Sequence, residues 1–222
     1  MSVTSEIENT HEAAVNLIEL LKKDRPGLEP RLEAGIIDGL IADVPRLRDE
    51  AVGAVDARQA KKAATLGQNE AAAALFERVM AVRGTIKLRR LDPEVAARAG
   101  VGRAMKAQSV KSVLDGAEMV VKANELYPDQ LRRAGVLPAD IDAINVLRAR
   151  LASADWAQET QKLTSKEKTA ARNAAHRRVR DAIAAIVGAA GLHFVGDSAR
   201  LALYRALLPK APVAKKPAVP RA

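Results

Sequence analysis

The chain has 222 residues, a net charge of +9 and no cysteine, so it can build its own core but has no disulfide, thiolate metal site or cysteine nucleophile. Apolar residues make up 48% of it and aromatics only 2%, with Ala, Leu and Val dominant, a composition that favours helices over strands. The longest uncharged run, Ala182 to Gly196, is about 15 residues against the roughly 20 needed to span a bilayer, and reads as a buried helix. The first helix is expected from Thr4 or Ser5, with Ile7, Ala14, Ile18 and Leu21 on one face. Lys22 and Lys23 suit its negative end, and Pro26 and Gly27 break it. A second pattern runs from Arg31 through Ile37, Leu40, Val44, Leu47, Ala51 and Ala54 to about Ala64, kinked or restarted at Pro45. Thr65 with Gln68 has the form of a capping box, so a third helix is expected through Ala72, Leu75, Val79, Val82 and Ile86 to Leu91, completing a hairpin.

Asp92 and Pro93 open a short helix that Gly100 and Gly102 close. The fourth long helix carries Val110, Val113, Ala117, Val120 and Asn124 inward and stops before Pro128, after which loop and turn lead to Pro138. A fifth buries Ile141, Ile144, Leu147, Leu151 and Ala154 and ends near Leu163. Thr164 with Glu167 is a second capping box, opening a sixth helix with Ala171, Ala175, Val179, Ile183, Ile186 and Ala190 inward. Asp197 or Ser198 caps a last short helix through Leu201, Tyr204 and Leu208.

Laid on itself with an offset of 100 residues and no gap, the chain matches Ala34, Gly35, Ile41, Leu47, Arg48, Lys62, Arg78 and Val79 with Ala134, Gly135, Ile141, Leu147, Arg148, Lys162, Arg178 and Val179. About a quarter of the roughly 50 positions from Ala34 to Arg83 agree, a figure that abundant alanine inflates. The expected fold is therefore all-α: an antiparallel helical bundle of about six long helices and some short ones, built from an internally duplicated helical hairpin. Residues 1–103 form the first repeat, residues 104–208 the second, packed with it into one bundle, and residues 209–222 a disordered tail.

That tail, PKAPVAKKPAVPRA, alternates Pro, Ala and Lys and has no means of forming a core. In composition it resembles the tails of linker histones and of some bacterial histone-like proteins; the remaining chain resembles no family. Charge is unevenly placed: the first 60 residues hold 12 acidic and 7 basic residues, and the remainder carries about +14, mostly in Arg83–Lys111, Lys166–Arg180 and the tail.

No catalytic, cofactor or metal motif emerges. Glu8 and His11 form one E-x-x-H unit where bundle di-iron sites need two, and His176 has Asn173 where a second Glu would stand. His11 and Glu12 fail the H-E-x-x-H zinc pattern because Val15 occupies the second His position. Gly196, Asp197 and Ser198 superficially resemble an esterase nucleophile block but lack the strand-to-helix turn and a partner His, and helix capping accounts for them. Gly100 and Gly102 match no phosphate-binding loop. Trp156, the single tryptophan, is expected in the core or at its boundary, with a contact surface as the alternative. Gly188 and Gly191 with their alanine neighbours are expected to allow close helix packing.

Two functions follow. The first is a non-enzymatic scaffold or adaptor in the cytoplasm, which the acidic start through Asn16 favours by lacking a secretory signal's basic and apolar regions. It would bind a protein partner or itself as a homo-oligomer, without cofactor, metal or membrane. The alternative is sequence-nonspecific, histone-like nucleic-acid binding. Its candidate anion-binding residues are Lys166, Lys168, Arg172, Arg177, Arg178 and Arg180 on the sixth helix, with Lys210, Lys215, Lys216 and Arg221 in the tail. The region Arg83–Arg103 would add to that surface.

Overall fold

A computed structural model describes residues 3–208, and the tail from residue 209 lies outside the described residues. The described chain is all helical: α1 (Val3–Leu28), a 3₁₀ turn (Glu29–Arg31), α2 (Ile36–Leu88), α3 (Pro93–Arg98), α4 (Val110–Leu126), α5 (Pro128–Ala134), α6 (Pro138–His193) and α7 (Ser198–Arg205). The apolar registers read from the sequence are largely the buried ones, though in α1 Leu17 is fully buried where Ile18, only partly buried, was expected. Ile37, Leu40, Val44 and Leu47 of α2, Val113, Ala117 and Val120 of α4, and Ile183, Ile186 and Ala190 of α6 are all buried. Asp92 caps α3, accepting from the Glu94 N–H at 2.8 Å, and Asp197 caps α7, accepting from the Arg200 N–H at 2.8 Å.

The two capping boxes do not act as caps. α2 runs 53 residues and α6 runs 56 residues, each without interruption, so neither contains a hairpin turn. An N-cap threonine needs an extended backbone and a side chain that accepts from the following turn. Here Thr65 Oγ1 instead donates back to the Lys61 carbonyl at 3.0 Å and Thr164 Oγ1 to the Thr160 carbonyl at 3.1 Å, as threonine does inside a helix. The flanking residues are mostly strong helix formers with no proline, so nothing local ends the helix there.

Pro45 likewise neither ends nor restarts α2. Val44 and Leu47 are buried beside it, and their burial offsets the missing N–H. Pro26 also lies within its helix; α1 continues to the fully buried Leu28 before tightening into the 3₁₀ turn. The stretch expected as loop before Pro138 contains α5, closed by Gly135 in the left-handed conformation.

The chain divides into two compact units that cut across the sequence halves. One takes the described residues up to Asp56 and those from Lys166 onward; the other is Ala57–Ser165. Each unit therefore draws on both 1–103 and 104–208. In the first unit α1, the start of α2, the end of α6 and α7 enclose a core containing Leu17, Leu21, Leu40, Val179, Ile183 and Tyr204. Tyr204, fully buried, donates its hydroxyl to Asp24 at 2.7 Å, and Arg200 grips the same carboxylate at 2.7 Å. Burial first, and then the Asp24 contact, push the Tyr204 phenol far above its ordinary range.

In the second unit the end of α2, α3, α4, α5 and the start of α6 enclose Leu75, Val79, Ile86, Val120, Leu131 and Ile144.

Candidate interaction surface

Within the second unit, neither residues 58–70 of α2 nor residues 152–165 of α6 include a buried side chain. The two stretches lie against each other, Gln68 Nε2 donating to Asp155 Oδ1 at 2.5 Å. Their large apolar side chains face water: Trp156 is 74% exposed, Leu66 60% and Leu163 59%. This corrects the expectation that Trp156 packs in the core or at its boundary. The inner stripe of α6 is Ile144, Leu147, Leu151 and Ala154, and Trp156, five residues beyond Leu151, falls well off that line. Trp156 and Leu163 are seven residues apart and so share one face. The charges are sorted by helix. Residues 58–70 carry Arg58, Lys61 and Lys62 against Glu70, whereas residues 152–165 carry Asp155 and Glu159 against Lys162.

The cations of α6 that could contact an anionic partner have different fates in the first unit. Arg178 is bidentate on Asp43 at 2.8 and 3.0 Å, and this contact lowers the Asp43 carboxyl below its ordinary range. Arg180 reaches Glu6 at 3.4 Å and Lys168 lies 4.0 Å from Glu50. Arg172 is 8% exposed, its guanidinium on the Asn173 side-chain oxygen at 2.8 Å. Lys166 and Arg177 are exposed and make no ion pair among the described residues. Lys210, Lys215, Lys216 and Arg221 lie outside the described residues.

Arg83, grouped by sequence with a basic surface, is 5% exposed. Its Nε donates to the Ala99 carbonyl at 2.8 Å and its Nη2 to the Gly116 carbonyl at 3.1 Å. The sequence carries the signal for this: position 83 follows Val79 by four residues and precedes Ile86 by three, on the inner face of α2.

The remaining polar candidates do not converge. Among the described residues no group of three or more His, Asp or Glu side chains is placed to hold a metal ion. His176 Nε2 sits 2.9 Å from Thr10 Oγ1, a hydrogen bond whose direction depends on the imidazole tautomer, and the Thr10 hydroxyl lies 2.9 Å from the Glu6 carbonyl. Burial lowers the His176 pKa; Glu6 opposes that shift, while Arg180 and Arg172 reinforce it. Gly188 and Gly191 have open space where a Cβ would stand, so they do not mark the close helix packing expected of them. Glycines that do admit a neighbour lie elsewhere: at Gly27 the His193 ring occupies the position of a side chain, at Gly100 the Arg83 guanidinium does, and at Gly116 the Met105 sulfur does.

No described helix is long and apolar enough to cross a membrane. Comparison of the chain with protein-family models, with curated proteins and with solved structures yields no match.

Proposed function

We propose that this chain is a non-enzymatic helical scaffold that docks another protein chain on the exposed stretch around Trp156. The observation that carries the reading is a tryptophan left 74% exposed between helix segments that have no buried residue of their own. Exposing so large an apolar ring is unfavourable, and tryptophan in such a position is the side chain that most often anchors an interface. A second copy is the partner to test first, because the cationic α2 stretch of one copy could face Asp155 on the α6 stretch of another, Glu159 being already paired with Lys162 at 3.1 Å.

Internal duplication belongs to the same reading. It is supported by Arg78 and Arg178, one offset apart, which each meet a carboxylate of their own unit, Asp140 at 3.4 Å and Asp43 at 2.8 Å, although Asp43 and Asp140 are not themselves one offset apart. It is supported too by Gly35 and Gly135, both left-handed, just ahead of α2 and α6. Cytoplasmic residence completes the proposal, and the cysteine-free composition favours it.

The test is sedimentation velocity over a concentration series with Trp156 emission read in parallel. Association should raise the mass and shift the emission to the blue, and Trp156→Ser should weaken it by about tenfold or more. A monomer at every concentration with unchanged emission removes the second copy as partner. Monomer emission shielded from acrylamide would refute the exposure on which docking stands.

The nucleic-acid alternative draws on Lys166 and Arg177 with the basic tail, since Lys168, Arg178 and Arg180 already face carboxylates. Four tail cations neutralising four phosphates would give a salt slope of about −3.6. Anisotropy of random duplex DNA, with the full chain and with one ending at Leu208, reads that slope directly. No binding at low salt would end this alternative.

A further inference from the structure

The second unit holds a buried positive charge with no negative charge opposite it. Arg83 reaches backbone carbonyls from Ala99 and Gly116, its Nη1 has only a 3.5 Å contact to the Arg103 carbonyl, and no carboxylate lies within ion-pair distance among the described residues. Burial lowers its pKa, and the one charged side chain that perturbs it is Arg103, another cation. A guanidinium in this state is costly, because carbonyl dipoles solvate the charge without neutralising it. The surrounding sequence makes room for it: a side chain at Gly100 would collide with the Arg83 guanidinium, and one at Gly116 would crowd it.

Arg83 and Arg103 line the same pocket, of about 240 Å³, walled by Met105 and Met119 and edged by Ser112 and Asp115. Arg103 is exposed and holds no ion pair among the described residues; its Nη1 lies 3.6 Å from the Met119 sulfur. We propose that this pocket binds a small oxyanion, carried either by a free inorganic ion or by a small organic molecule, between the Arg83 and Arg103 guanidinium groups. The anion supplies the missing counter-charge to Arg83. Arg103, on the exposed side of the pocket, closes over it, the two thioethers receive any apolar portion, and Ser112 offers a hydroxyl. Asp115, on the rim, opposes the bound charge and keeps affinity moderate.

The experiment is calorimetric titration of the full chain with inorganic phosphate and, separately, phenyl phosphate, at ionic strength held constant with chloride. Saturable binding at one site per chain is expected, weakened about tenfold or more by Arg103→Ala and tightened by Asp115→Asn. Arg98→Ala, which removes an equal charge outside the pocket, should leave it unchanged. Because Arg103, Asp115 and Arg98 are exposed, the variants should melt as the parent does. Tighter binding of phenyl phosphate would identify an organic ligand, and equal binding a free anion; either supports the site. Absence of saturable binding by both probes, or equal binding by the Arg103→Ala chain, would overturn it.

Discussion

Replacing a single hydrogen by a methyl group should move stability in opposite directions at two glycines. Gly67 lies in the middle of α2, with nothing beyond its own helix turn within 4 Å of where a Cβ would stand. Alanine there adds no clash and removes the entropy that glycine loses on entering a helix, a gain of about 0.8–1 kcal/mol. Gly100 has φ +76°, and the Arg83 guanidinium occupies the place of its side chain. Alanine there brings roughly 1–2 kcal/mol of left-handed strain and displaces a buried cation from its acceptors, a loss of about 2–4 kcal/mol altogether.

Urea denaturation of both variants measures the midpoint at constant slope, and hydrogen exchange over residues 58–70 localises the Gly67 gain. The Gly67→Ala result also bears on the helix itself. If α2 restarted at Thr65, position 67 would fall in a first turn and alanine would gain little. A neutral or destabilising Gly67→Ala would therefore refute the continuous helix, and a neutral Gly100→Ala would refute the placement of Arg83.

Arg178→Ala should cost roughly 0.5–1 kcal/mol near neutral pH by freeing Asp43, a value held down by partial exposure. Because the folded Asp43 pKa is lowered, the pair's contribution is complete above the ordinary carboxylate range and fades as pH falls through the folded value; melts of parent and variant should converge in acid. For His176, whose folded pKa is lowered, the unfolded chain takes up the proton first. Stability should fall as pH drops below the ordinary imidazole range, and His176→Gln should flatten that part of the melting profile. Tyr204→Phe removes the hydroxyl from Asp24 while leaving Arg200 on the same carboxylate, so a loss of about 1 kcal/mol in urea is expected.

Much of the fold was legible in local pattern. The buried face of the long helices follows largely from spacing, as with Val113, Ala117 and Val120, because 3.6 residues per turn is a backbone property that no partner alters. Asp92 and Asp197 cap as their sequences indicate, since capping is settled within four residues. The candidate surface was legible only in part. Trp156 could be placed by its departure from the α6 stripe, and Arg83 by its agreement with the α2 stripe, but residue type argued the other way in both cases.

By itself, then, the sequence determined an all-helical chain and the inward faces of its long helices in the main, because these depend on contacts between residues three and four apart; α5 and the burial of Leu17 were not among them. Only the tertiary structure decided that Thr65 and Thr164 sit inside helices rather than open them, since a threonine can accept at a cap or donate to the preceding turn with equal local merit. It also decided that Arg178 is answered by Asp43, 135 positions away, while Lys166 and Arg177 on the same helix are not. Composition counts charges, but whether a cation is neutralised depends on a partner that distant chain segments bring within a few ångströms.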